Sequence, residues 1–150
     1  MAKKETNRRA GTRRAAQMMK RIMIHFRGQM DEQLRPQGVT TAQVRMLKAI
    51  QDEPGESGAQ LARYCYVTPQ SAQALLKGLE DGGWITRSKD RVNDRILIAQ
   101  LTPSGEGLLE TAEKLARVIE KKLWHGVAAE DVATLNGVLE QCLGNLDEDA

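Results

Sequence analysis

The sequence predicts a mainly helical chain interrupted by one small β-hairpin. Three observations point there. Apolar residues recur at steps of three and four through most of the 150 residues. Ser/Thr starts and Gly/Pro stops fall where that periodicity begins and ends. A single stretch is instead β-prone on both sides of a polar, charged segment: WITRS, then KDRVND, then RILIAQL.

The first helix is expected from about Thr12 to Leu34, with Met19, Ile22, Met23, Phe26, Met30 and Leu34 along one face. Arg35-Pro36-Gln37-Gly38 ends it, because the residue before a proline avoids the helical region and glycine disfavours any continuation. A second helix opens at Thr40, with Gln43 placed to complete a capping box and Val44, Leu47 and Ile50 as its inner face; Pro54 and Gly55 stop it. A third, of about two turns, repeats the box with Ser57 and Gln60 and turns Leu61, Tyr64 and Cys65 inward. The fourth begins at Thr68-Pro69, where proline loses nothing by lacking an amide hydrogen, and buries Ala72, Leu75, Leu76 and Leu79 before Gly82-Gly83. Only Tyr66-Val67 separates the third and fourth helices, the spacing of a helix-turn-helix. After the hairpin, Thr102-Pro103 starts a helix with Leu108, Leu109, Ala112, Leu115, Ala116, Ile119 and Leu123 on one side. Gly126 breaks it, and a last helix runs from about Ala129 to Leu143, with a loose acidic end after Leu146.

A helix-turn-helix joined directly to a charged hairpin is a winged helix-turn-helix. One domain spans 1–150: a loose basic tail over 1–12, a reading unit over 40–101, and N- and C-terminal dimerisation helices over 13–35 and 103–145. These terminal helices carry more apolar surface than so small a reading unit covers. They also differ in charge. Residues 1–35 hold ten Lys/Arg against three Asp/Glu, whereas residues 123–150 hold six Asp/Glu and no Lys or Arg. Opposite charges favour interlocking the two ends, within a subunit or between two.

Hydrophobic residues at 41% and charged residues at 28% place the chain among folded soluble proteins. It lacks an apolar run long enough for a membrane span, and its basic start does not lead into the apolar stretch of a secretory signal, so a cytoplasmic location is expected. The aromatic residues are Phe26, Tyr64, Tyr66, Trp84 and Trp124, too scattered to stack single-stranded bases. Cys65 and Cys142 form no CxxC pair. His25 and His125 stand alone, and no catalytic or phosphate-binding motif occurs. No enzyme activity, cofactor or metal is expected.

Double-stranded DNA is the expected partner. A helix fits the major groove, where every base pair shows a distinct donor and acceptor pattern. Opposite its leucines the fourth helix carries Gln70, Ser71, Gln73, Ala74 and Lys77, with Thr68 at its start. Gln pairs with an adenine edge, Ser donates or accepts, Ala meets a thymine methyl, and Lys reaches guanine or phosphate. The hairpin adds Arg87, Lys89, Arg91, Asn93 and Arg95 as groove or phosphate contacts, with Asp90, Asn93 and Asp94 placed to orient an arginine fork. The competing reading is a winged-helix module that binds other proteins and does not read DNA.

LARYCYVTPQSAQALLKGLEDGGWITR, together with NDRILIAQLTPSGEGLL downstream, resembles the core of the MarR (multiple antibiotic resistance regulator) family. The matching positions are Leu61-Ala62, Leu79-Glu80, Gly83, Arg87, Leu101-Thr102 and Gly105, and GVTTAQVRMLKAI resembles the family's preceding helix. The family's wing D-x-R falls on Asn93-Asp94-Arg95, so an amide replaces the usual aspartate as hydrogen-bond acceptor for Arg95. The resemblance implies a homodimer built by the first and last helices, acting on a palindromic operator as a repressor. It also implies a small aromatic or phenolic effector, for which Met18, Met23, Phe26, Met30 and Trp124 are the expected lining.

Overall fold

The computed structural model describes residues 1–147. The loose end expected after Leu146 falls mostly outside them; Leu146 and Asp147 belong to the last helix. The elements run α1 (Ala2–Leu34), a 3-10 turn (Arg35–Gln37), α2 (Thr41–Asp52), α3 (Gly58–Tyr64), α4 (Pro69–Asp81), β1 (Ile85–Lys89), β2 (Leu97–Leu101), α5 (Pro103–Leu123) and α6 (Ala129–Asp147). The chain divides into two compact units, Met1–Arg117 and the part from Val118 onward, with the boundary inside α5. No described helix is long and apolar enough to cross a membrane.

In the first unit, α1 begins at Ala2 rather than near Thr12. Its first turns are rich in Lys, Glu, Arg and Ala, strong helix formers, with no proline before Pro36. Among these turns Gly11 is a weak point, and Thr12 Oγ1 donates back to Arg8 O and Arg9 O beside it. The apolar face is covered only at its C-terminal end. Met30 and Leu34 are buried and Phe26 half-buried, whereas Met19, Ile22 and Met23 are exposed. Gly38, at φ 72°, then turns the chain through the left-handed region.

Thr40 and Gln43 form both arms of the capping box: Gln43 N donates to Thr40 Oγ1 at 3.3 Å and Thr40 N to Gln43 Oε1 at 3.0 Å. The buried side of α2 is Met46, Leu47 and Ile50; Val44, expected inside, is only half-buried. In α3, Leu61, Ala62 and Cys65 face the core, and Tyr64 turns out at 43% exposure. A seven-residue helix has room inside for one narrow stripe, and the small Ala62 packs where the Tyr64 ring does not.

The turn into α4 is a Schellman stop without glycine. Tyr66 N donates to Arg63 O at 3.1 Å and Val67 N to Ala62 O at 3.0 Å, with Tyr66 itself at φ 54°. That backbone costs an L-residue about 1–2 kcal/mol. Helix α4 ends in the same motif with glycine in the left-handed place: Gly83 N donates to Glu80 O and Trp84 N to Leu79 O, both at 3.0 Å. Beyond it, β1 and β2 pair antiparallel from Ile85↔Leu101 to Lys89↔Leu97. The core beneath α3, α4 and the hairpin is Leu61, Ala72, Leu76, Leu79, Ile85 and Ala99 against Met46 and Leu47 of α2.

Thr102 fastens the hairpin base to α5. Its Oγ1 donates to Gly83 O at 2.7 Å and accepts from Gly105 N at 3.1 Å, while its N–H donates to Trp84 O at 3.0 Å. Gly105 lies so close to the Trp84 carbonyl that a Cβ there would collide with backbone. In the second unit, Gly126 at φ 76° separates the end of α5 from α6, on which Leu135, Val138 and Leu143 are exposed.

The junction between α1 and α2 is polar. Asp31 Oδ1 accepts from Thr41 N at 2.7 Å and from Thr41 Oγ1 at 2.5 Å, and Arg27 Nε lies 3.8 Å from the Asp31 carboxylate. Partial burial alone raises the Asp31 pKa, but the two Thr41 bonds and the Arg27 charge outweigh it and hold the carboxyl below its usual value. A depressed folded-state pKa contributes stability that is fully present above the unfolded value and is lost as pH falls through the folded one. Resistance to thermal unfolding is therefore expected to weaken below about pH 4, and Asp31→Asn is expected to flatten that acid limb. An acid limb with the same slope in Asp31→Asn removes this linkage.

Candidate nucleic-acid interface

Helix α4 presents two opposed faces. Ala72, Leu76 and Leu79 are buried beneath it, with Leu75 at the margin, whereas Thr68, Gln70, Ser71, Gln73, Ala74 and Lys77 are exposed. The cap consumes part of that outer face. Thr68 Oγ1 accepts from Ser71 N at 3.1 Å and donates to Ser71 Oγ at 2.9 Å. Lys77 Nζ pairs with Asp81 one turn on, at 2.9 Å. Gln70 has no side-chain hydrogen-bond partner among the described residues, and Ala74 stands one turn beyond it on the same face. An unengaged carboxamide and a methyl are thus offered together to anything alongside.

Arg87 is turned inward. It is only 16% exposed; its Nη2 lies 3.2 Å from Glu80 Oε1, its Nε donates to Glu80 Oε2 at 3.3 Å, and its Nη1 donates to Gln73 Oε1 at 3.3 Å. The fork spans from β1 to two residues of α4 that lie two turns apart, and fixes the hairpin against the helix. By sequence, Arg87 and Gln73 belong among the outward groups. In the structure they are bonded to each other, and Glu80 joins them.

The hairpin tip is built by its own polar side chains. Asp90 N donates to Ile96 O at 2.8 Å, closing the strands. Asp90 Oδ2 accepts from Asn93 N, and Asn93 Oδ1 accepts from Arg95 N, both at 3.1 Å. The expected link from Asn93 to Arg95 exists, but its donor is the backbone amide. A short amide side chain reaches the N–H two residues on more readily than a guanidinium, an Asx turn. Lys89, Arg91 and Arg95 are exposed and form no ion pair among the described residues. Asp90 thus shapes the tip without orienting an arginine.

Of the residues expected to line an effector cavity, Met30 borders a groove in the first unit. That groove, about 430 Å³, is walled by Met30 of α1, Val44, Arg45, Lys48 and Ala49 of α2, Tyr64 of α3, and Leu109, Ala112 and Glu113 of α5. Met18 and Met23 are exposed on α1, Phe26 is half-buried, and Trp124 is exposed in the second unit. Lys48 is shared by Asp52 at 3.1 Å and Glu113 at 3.4 Å; its bond to Asp52 leads in raising its pKa. Burial raises the Tyr64 pKa, and Glu56 and Glu53 raise it further. Burial also pushes the Cys65 thiol up, against a smaller opposite pull from Arg45, which leaves it a poor nucleophile.

Comparison with known proteins agrees with this architecture. The MarR family profile matches residues 37–96, from the end of the 3-10 turn through the wing tip. An HTH-type transcriptional repressor of Mycobacterium tuberculosis is 30% identical over 124 residues, covering 83% of this chain and 89% of the relative. A solved M. tuberculosis MarR family protein in complex with salicylic acid is 30% identical, covers 83% of this chain and 93% of that one, and superposes with a TM-score of 0.65. A mutant MarR of E. coli complexed with operator DNA shares the fold, with a TM-score of 0.76, 22% identity, and coverage of 85% of this chain and 92% of that one. The helix order, the single hairpin and these likenesses agree: the chain belongs to the MarR family of winged helix-turn-helix transcriptional regulators.

Proposed function

We propose that this protein is a cytoplasmic repressor that binds a two-fold symmetric DNA duplex as a homodimer and is released by a small aromatic acid. The observation that carries the reading is the outer face of α4. Gln70 is unengaged, Ala74 lies one turn away, and the exposed Lys89, Arg91 and Arg95 stand on the hairpin that Arg87 fixes to the same helix. In this reading Gln70 and Ala74 face base edges, with Thr68, Ser71 and Lys77 beside them. Arg91, Asn93 and Arg95 reach the neighbouring minor groove or phosphates, and Lys89 a phosphate. Arg87 and Gln73 act by holding the wing. The exposed apolar residues of α1 and α6 supply the dimer contact, which sets two reading helices about 34–36 Å apart.

The effector reading rests on the groove between α1, α2 and α5. Its apolar walls are Met30, Val44, Ala49, Leu109, Ala112 and Ala116, its charged ones Arg45, Lys48, Asp52, Glu53 and Glu113, and of these Arg45 forms no ion pair among the described residues. Such a site suits an aromatic ring bearing a carboxylate, and the related M. tuberculosis protein has been solved with salicylic acid.

Duplexes selected from a randomised pool are expected to be two-fold symmetric, and the bound species to weigh two chains by sedimentation. Gln70→Ala should cost about 1–3 kcal/mol on a selected duplex and relax its base preference. Unaltered selectivity would show that α4 does not lie in the groove as described. Arg95→Ala should reduce the slope of log affinity against log salt by about one unit, whereas Arg87→Ala weakens binding without that loss of slope. Equal slopes for Arg95→Ala and the parent exclude Arg95 from the phosphates. Salicylate should lower duplex affinity, and Arg45→Ala should weaken salicylate binding by about tenfold in calorimetry while sparing duplex binding. Unchanged salicylate affinity in Arg45→Ala moves the effector elsewhere.

A further inference from the structure

Tyr66 is the one non-glycine residue with positive φ among the described residues, and its side chain is 90% exposed. Its position makes the combination unusual. It occupies the left-handed place in the stop of α3, where Gly83 serves in the matching stop of α4. A tyrosine there strains the backbone and gains almost no burial in return. Its neighbours on either side contribute to the fold: Cys65 is buried and Val67 half-buried. The phenol hydroxyl has no hydrogen-bond partner among the described residues. Nothing among the described residues therefore accounts for a large side chain at this point.

The surroundings suggest what does. Tyr66 lies two residues before Thr68, the cap of α4, and four before Gln70. In a helix-turn-helix the second helix enters the major groove by its N-terminal end, while the first crosses the sugar-phosphate backbone. The link between them passes over the rim of the groove. A side chain projecting from that link meets phosphate and sugar before it meets a base, and tyrosine hydroxyls are among the donors that phosphates accept. We infer that Tyr66 is a DNA-backbone contact: its hydroxyl donates to a phosphate oxygen at the groove edge beside the end of α4 that carries Gln70. This rests on the duplex-binding reading above. It concerns a residue that neither the outer face of α4 nor the wing includes.

The inference makes folding and binding move in opposite directions. Tyr66→Gly relieves the strained backbone, so its Tm should rise by about 2–4 °C. Its affinity should nonetheless fall about tenfold, both for a selected duplex and for a mixed-sequence duplex, because a phosphate contact carries no base information. Tyr66→Phe keeps the ring and the strain, so its Tm should stay at the parent value while affinity falls by a similar factor. The salt slope should be unchanged in both variants, since no charge is lost. If the parent binds duplex and both variants bind as tightly, the contact does not exist and only this inference fails. A Tyr66→Gly chain that melts below the parent would give the ring a structural role and would equally overturn it. A parent without salt-sensitive duplex affinity removes the function reading itself, and this contact with it.

Discussion

The architecture of the interface depends on how the chain leaves α4. Leu79 and Ile85 are both enclosed in the same core, yet one lies in the last turn of a helix and the other begins a strand. Between them the backbone must terminate the helix, satisfy its last carbonyls and reverse direction. The Gly83 stop does this with bonds to Glu80 O and Leu79 O, and the freed Gly83 and Trp84 carbonyls are taken by Thr102. Three elements thus meet at one knot of backbone hydrogen bonds, and Gly105 lets α5 close on it without a side chain in between. Lengthening or stiffening this passage would displace the hairpin from α4, whatever residues the hairpin carried.

Arg87 acts on top of that hydrogen-bonded constraint. Its attachment to Glu80 and Gln73 is partly exposed and so contributes modestly to stability. Its value is geometric. A planar fork shared by two turns of α4 resists hinging of a two-stranded sheet, which alone is a weak structure. Lys89, Arg91 and Arg95, which form no ion pair among the described residues, lie further out, toward the tip.

Most of the element order is legible in the sequence because its signals are local. Thr40, Ser57, Thr68 and Thr102 cap the helices they precede, and Pro69 and Pro103 open them. The less legible features depend on what lies across from a residue. Val44 and Tyr64 fit an inward stripe by spacing, but a short helix buries only the positions its neighbours can accept. Arg87 carries the same charge as Arg91 and Arg95, and only the chain fold brings Glu80 within reach of the first. The start of α1 is hard to place because its charges suit a solvated tail, although Lys, Arg, Glu and Ala are also good helix formers. Tyr66 does leave a trace in the sequence: a two-residue link between helices calls for a left-handed residue, and no glycine is there to provide it.

The hairpin tip closes on itself. Asp90 and Asn93 make its turn, Asp90 N and Ile96 O tie its two ends, and Val92 at the apex is 95% exposed. No residue from Arg91 to Arg95 belongs to the core. The tip therefore behaves as an exchangeable cassette. Residues 91–95 can be exchanged between the Lys89 and Leu97 anchors without removing a core side chain, so the sequence at this end of the molecule is freer to vary than the scaffold beneath it.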